Sequence, residues 1–263
     1  MPARRLIIAL PKGGSGKTAT AVAFAWALQA RRKRVLLVDL DPQGHSGAAV
    51  GVNLEDVNYR VGDWLLHPGA TFMPTAVSPY LHVVPSTPHE ANLDRRVEKE
   101  SLDVGPILVR SALNRIEDLY DYVICDCPPN LAAVAYSALL SGPVLAPVEM
   151  NRLAVSTVPT LLQALSRLRS GGWSVRLLAF LPTKCRERTT EFRESLELLE
   201  EIAKPDKHRL TKARIPATTA IARSLAESKS LYCPEYGRSS GPHAYAAALQ
   251  EVLPLLERDA PHG

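Results

Sequence analysis

The chain has 263 residues, 46% of them hydrophobic and 22% charged, with a formal net charge of only +4. That length suits one large α/β domain or at most two small ones, with an ordinary globular balance and enough apolar residues for a sizeable core. So small a net charge excludes the global field that marks a nucleic-acid binder, so any basic surface has to be local.

The N-terminal stretch MPARRLIIALPKGG has two arginines before an apolar run, in the manner of a signal peptide. The run Leu6–Leu10 is too short for such a segment and leads straight into glycines, so it reads as a first strand. No stretch approaches a membrane span, and the expectation is a cytoplasmic protein with no membrane partner. Further apolar runs of strand length follow at Val35–Val38, Leu81–Val84, Tyr122–Cys125, Val144–Val148 and Val175–Leu181. Several are apolar on both faces, as parallel strands covered on both sides are. Helical patterns fill the gaps at Lys17–Arg31, Asp103–Leu119, Leu131–Leu140, Val155–Leu168, Thr190–Ile202 and His243–Leu256. Residues Gly69 to Pro79 and Lys204 to Thr211 read as surface loops. Alternating strands and helices predict a single α/β domain over 1–263, built on one doubly wound, mostly parallel sheet flanked by helices.

Between the first strand and the first helix lies Lys12-Gly13-Gly14-Ser15-Gly16-Lys17-Thr18. Strand, glycine-rich turn and helix in that order form a phosphate-binding loop. Gly13, Gly14 and Gly16 let successive backbone N–H groups point inward, and the helix that begins near Lys17, with Ala19 in its first turn, adds its positive end. Lys17 is expected on the β- and γ-phosphates and the Thr18 hydroxyl on Mg²⁺. Asp39 and Asp41 stand at the C-terminal end of the second strand, the edge at which open α/β sheets bind ligands. Either can hold magnesium through water, and Asp39 reads equally well as a structural carboxylate bonding loop amides. Four apolar residues followed by Asp126 form a Walker B pattern, which places Asp126 on the magnesium water shell. Cys125, Cys127, Cys185 and Cys233 contain no C-x-x-C spacing, Cys125 and Cys127 in their apolar run read as buried thiols, and no positioned histidine supports Cys127 as a nucleophile.

The loop departs from the strict GxxxxGK[ST] form, with Pro11 at the first glycine position and Lys12 inside the loop. KGGSGKT, VDLDPQGH and DCPP together resemble the deviant Walker A ATPases of the ParA/MinD type, nearest to the Soj-like ParA proteins. The resemblance implies a P-loop NTPase fold and ATP hydrolysis with Mg²⁺. It also implies an ATP-dependent sandwich dimer in which Lys12 reaches the nucleotide of the other subunit. By the same resemblance Asp41 orients the attacking water and also meets magnesium through water, and Pro216 of Ile215-Pro216 lies against the adenine. His45 stands where the family usually has asparagine. Arg188 corresponds to an arginine that contacts non-specific DNA in several members, while two further arginines of the pattern are replaced by Ala217 and Ala220. Lys207, Arg209, Lys212 and Arg214, with Lys204, form a basic run that can substitute, and Arg186, Arg193, Arg223 and Lys229 are further candidates.

The function so implied is partition or cargo positioning in the cytoplasm, associated with the nucleoid, with hydrolysis stimulated by a ParB-like partner. No helix-turn-helix pattern precedes the core. A MinD-like positioner on a membrane or protein matrix is the alternative. It needs a basic amphipathic tail helix, whereas AYAAALQEVLPLLERDAPHG carries Pro254 and reads as a helix packed on the core. A nitrogenase-reductase-like protein needs cluster cysteines at other spacings, and Lys12 with DPQG disfavours a small-molecule kinase.

Overall fold

Seven strands form one sheet in a computed structural model that describes residues 2–104 and 107–257. Residues 105–106, inside the helix expected over Asp103–Leu119, and the last six residues of the tail lie outside the described residues. The strands are β1 (Arg4–Ile8), β2 (Val35–Asp39), β3 (Thr75–Ser78), β4 (Leu81–Val84), β5 (Tyr122–Asp126), β6 (Val144–Glu149) and β7 (Leu177–Thr183). Their order is β3-β4-β2-β5-β1-β6-β7, and every pairing is parallel except β3 with β4. The helices are α1 (Lys17–Gln29), α2 (His45–Ala49), α3 (Val61–Leu66), α4 (Leu93–Val104), α5 (Leu108–Asn114), α6 (Ala133–Leu139), α7 (Arg152–Val155), α8 (Val158–Ser170), α9 (Thr190–Ala203), α10 (Thr219–Ala226) and α11 (Ser240–Glu257).

Because successive side chains of a strand point to opposite faces, each central strand feeds two apolar layers. Leu6 and Ile8 of β1 join Val35 and Leu37 of β2 in the layer that holds α1 and α11. Ile7, Leu36 and Val38 join the opposite layer, with Trp64 of α3, Val97 of α4, Leu161 of α8 and Phe192 of α9. This two-sided burial is why the runs read as continuously apolar. The alanine-rich α1 is buried along most of its length, and its small side chains let α11 approach closely. Phe24 of α1 meets Tyr245 of α11 edge to face, with ring centroids 6.3 Å apart. The tail helix continues through Pro254 and buries Tyr245, Leu249, Val252 and Leu256. Among the described residues, no helix is long and apolar enough to cross a membrane.

Several element bounds differ from the sequence reading. The stretch read as a loop from Gly69 to Pro79 contains β3, a short antiparallel edge strand between Pro74 and Pro79. Four residues carry too little alternation to outweigh two flanking prolines. The pattern over Val155–Leu168 is two helices, α7 and α8, with Pro159 in the first turn of the second. The helix expected over Asp103–Leu119 is the shorter α5, preceded by α4. The charged α4 contributes Leu93 and Val97 to the core.

Removing the Phe24 ring leaves a cavity between α1 and α11. Phe24→Ala is expected to lower the unfolding free energy by about 3–5 kcal/mol, measured by urea denaturation. A loss under about 1 kcal/mol would show that the α1–α11 contact does not support the fold.

Candidate functional site

The chain leaves β1 through Pro11 and enters the glycine loop, where Lys12 N donates to Leu10 O at 2.8 Å. Gly14 and Gly16 adopt left-handed φ values of 76° and 95°, which an L side chain strains to reach. Gly16 is the N-cap of α1 and also sits against β7, since a Cβ placed on it would lie 3.4 Å from Thr183. The Thr183 hydroxyl donates to Ser15 O at 2.7 Å, so the last residue of β7 clamps the loop. Beyond it Lys184, held to Glu149 at 3.2 Å, places its ammonium beside Gly14. Thr183 and Lys184 lie in LPTKCRERTT, a stretch that resembles the ParA proteins without giving either residue a role. Only the sheet order, which sets β6 and β7 on the flank of β1, brings them to the loop.

Lys17 is buried, and its Nζ donates to Lys12 O at 2.9 Å. Burial pulls the ammonium pKa down, and the nearby Asp126 charge opposes that. Thr18 donates through its hydroxyl to Asp126 Oδ2 at 2.7 Å, and the Ser46 hydroxyl at the start of α2 donates to the same oxygen. Ser46 was absent from the sequence reading, and its place one residue after His45 in the DPQGHS stretch is the only local signal it offers. The other oxygen, Asp126 Oδ1, is buried with no hydrogen-bond partner. Burial raises the Asp126 pKa, against the two hydroxyl bonds and Lys17.

Asp39 pairs in register with Asp126 across β2 and β5. It is fully buried and accepts N–H bonds from Asp41 at 3.2 Å, Ser46 at 2.9 Å and Gly47 at 3.0 Å. Burial first, and Asp126 second, push its pKa well up. These bonds favour the structural alternative for Asp39, which ties α2 to the end of β2. Asp41 is half-buried on the loop beyond, and its Oδ1 accepts from Gln43 N at 3.0 Å. Cys125 and Cys127 are buried, and burial raises both thiol pKa values, which disfavours a thiolate nucleophile.

An orphaned, buried carboxylate oxygen beside a hydroxyl is an all-oxygen donor set, and these residues fit a magnesium ion. The loop backbone, Lys17 and the start of α1 supply what a polyphosphate needs.

Pro216 is half-buried and lies beside Cys185, just past β7 on the side of the phosphate loop. The basic residues divide. The segment from Arg209 to Ala217 runs alongside β7, bonded through Arg209 O to Phe180 N at 2.8 Å and through Ile215 O to Cys185 N at 2.8 Å. Arg214 therefore lies at the phosphate-loop end, 3.6 Å from Glu187 and with its guanidinium over Phe192. Arg188 is exposed on the same side. Lys207 and Arg209 lie at the opposite end of β7, lining a cavity with Arg169 and Arg176. Lys212 falls between, its N–H held by Glu251 at 2.8 Å. Arg223 and Lys229 are each ion-paired to both Glu227 and Glu235 at 2.9–3.2 Å, so their charge is already partnered.

A family model described as an AAA domain matches residues 3–172. The chain is 32% identical to the chromosome-partitioning ATPase Soj of Thermus thermophilus, over 97% of each chain. It is 28% identical to the chromosome partitioning protein ParA of Myxococcus xanthus, over 98% of this chain and 89% of that one. Among solved structures, a cobyrinic acid a,c-diamide synthase from Mycobacterium smegmatis with bound ADP and magnesium superposes with a TM-score of 0.76. It is 27% identical, over 95% of this chain and 94% of that one.

Asp39→Ala would orphan the buried N–H groups of Ser46 and Gly47 and the part-buried one of Asp41. At about 1–3 kcal/mol for each unsatisfied donor, it is expected to lower the unfolding free energy by roughly 3 kcal/mol or more. Urea denaturation checks this, and a change within about 0.5 kcal/mol would return Asp39 to a purely catalytic reading.

Proposed function

Because the chain belongs to the AAA-domain family of ParA/MinD-type partition ATPases, we propose that its ATP-loaded form is a sandwich of two chains that binds DNA without sequence preference and is discharged by a ParB-like stimulating partner. The chain is a partition or positioning ATPase that hydrolyses ATP to ADP and phosphate with Mg²⁺. The observation that carries the finer reading is Lys12. One chain already brings Lys17 to the loop, and the Lys12 side chain makes no hydrogen bond or ion pair among the described residues. A second cation on the same loop suits a phosphate held by a second copy, where it acts as an arginine finger does.

In this reading Lys17 and the N–H groups from Gly13 to Thr18 bind the β- and γ-phosphates. Thr18 and Asp126 hold magnesium, the latter through water, with Ser46 fixing the Asp126 carboxylate. Magnesium, when bound, would neutralise charge that develops on the phosphate oxygens. Asp41, on the loop that follows β2, holds the attacking water and would also reach the magnesium shell through water. Ala19 and Pro216 belong to the nucleotide's surroundings, Pro216 on the adenine side.

The exposed Arg188, with Arg214, supports DNA binding at the phosphate-loop end, where two chains closing over their nucleotides combine their charge, and Lys212 adds to it from beside the middle of β7. Summed phosphate contacts make such binding steeply salt-dependent, with about −0.9 in log–log slope for each contact. Localisation on the nucleoid follows from it.

Asp41→Ala is expected to bind ATP but turn over about 10²–10⁴-fold more slowly. Loaded with ATP, this variant should be retained on random duplex DNA at low salt, and adding Arg188→Glu should abolish the retention. Unchanged turnover would move the water-holding role elsewhere, and absence of retention would leave a protein or membrane matrix as the partner.

A further inference from the structure

The carboxylates that fit magnesium lie on one flank of the phosphate loop. In the strand order β2-β5-β1-β6-β7, Asp39 and Asp126 end the two strands on one side of β1. On the other side the loop adjoins the ends of β6 and β7, where Glu149 and Lys184 stand. A polyphosphate seated in the loop carries charge toward both flanks. A cation held on the Asp126 side alone leaves the β7 side to the protein's own groups.

Lys184 is placed to meet that charge. Its ammonium is held by Glu149 Oε2 at 3.2 Å. The pair turns its cation toward the loop. Lys184 Nζ would stand 3.6 Å from a Cβ on Gly14, and no oxygen of Glu149 comes within 4 Å of that point. The backbone fixes this arrangement. Lys184 has a left-handed φ of 50°, which is costly for a residue with a Cβ. It persists because both neighbours are bonded. Thr183 O accepts from Met150 N at 3.0 Å, and the Thr183 hydroxyl donates to Ser15 O at 2.7 Å. Cys185 N donates to Ile215 O at 2.8 Å. Strain held in place by its surroundings collects at functional sites. The Lys184 side chain is 48% exposed and that of Glu149 23%. So open an ion pair adds little to stability, which leaves the placing of a charge beside the loop as its main effect.

We propose that Lys184 is an electrostatic positioning residue for ATP. Oriented by Glu149, its charge strengthens the hold of the loop on the β- and γ-phosphates from the flank opposite Asp126. The proposal rests on the reading that this loop seats the ATP phosphates. Lys184 acts on the nucleotide of its own chain, as Lys17 does, and leaves Lys12 to the nucleotide of a second copy.

The two partners of the pair give the test opposite signs. Lys184→Met keeps the aliphatic stem and removes the cation. Glu149→Gln keeps an acceptor for Lys184 and removes a negative charge from beside the loop. The measurement is the dissociation constant of fluorescent ATP, ADP and AMP in excess Mg²⁺ at low salt. Lys184→Met should raise the ATP constant about threefold to tenfold, and Glu149→Gln should lower it about twofold. AMP, which lacks the outer phosphates, should bind Lys184→Met and parent alike. Lys184→Arg should restore most of the ATP affinity, and added salt should shrink both effects. Lys184→Gln repeats the measurement should Lys184→Met fail to fold by circular dichroism. A merely structural brace would weaken ATP and AMP alike, and in both variants. That result, or unchanged ATP affinity without the Lys184 charge, overturns the proposal. Lys17→Ala separates the two readings. If it loses ATP while the Lys184 variants do not, only this proposal fails, and if it binds ATP as the parent does, the phosphate-loop reading fails with it.

Discussion

The Asp126 carboxylate joins three segments that are distant in sequence. One oxygen accepts the Thr18 hydroxyl from the start of α1 and the Ser46 hydroxyl from the start of α2, while the residue itself ends β5. Beside it in register stands Asp39, equally buried and itself holding the first turn of α2 through backbone N–H groups. Burial raises the pKa of both acids, with Asp126 adding to the rise at Asp39 and Asp41 to that at Asp126, so both are costly to keep charged. Hydroxyls, amides and Lys17 offset only part of that cost. An oxygen-lined site with one unbonded carboxylate oxygen is therefore already biased toward a divalent cation, and the phosphate loop and the DPQG loop are arranged around it.

The loop is held from its other flank by β7. Thr183 clamps Ser15 O, and Lys184, tethered to Glu149 at the end of β6, closes over Gly14. The same strand carries the basic residues apart, because the segment after Lys207 runs parallel to it. Chemistry at one end of the sheet and Lys207 and Arg209 at the other follow from a single architectural fact, strands that all run one way through the centre of the fold.

How legible this was depended on range. The glycine loop, Lys12, Asp41 and Asp126 announce themselves because each lies within a few residues of a strand end, and short-range spacing carries that information. Ser46, Thr183 and Glu149 act through contacts that only the strand order creates, so the local pattern does not give their roles. The run from Lys204 to Arg214 reads as one basic patch along the chain. In space it is drawn out beside β7, with Arg209 and Arg214 toward opposite ends. The edge strand Thr75–Ser78 escaped notice because it is short, half-exposed and flanked by prolines, whereas the central strands stood out because both their faces are buried.

The central claim is that Lys12 serves a nucleotide held by another copy of the chain. Light scattering with ATP and Mg²⁺, on otherwise identical proteins bearing Lys12 or Lys12→Ala, measures it most directly. The account predicts that the mass of the parent doubles with ATP, while Lys12→Ala binds ATP and remains a single chain. A Lys12→Ala protein that doubles its mass as readily as the parent would contradict it.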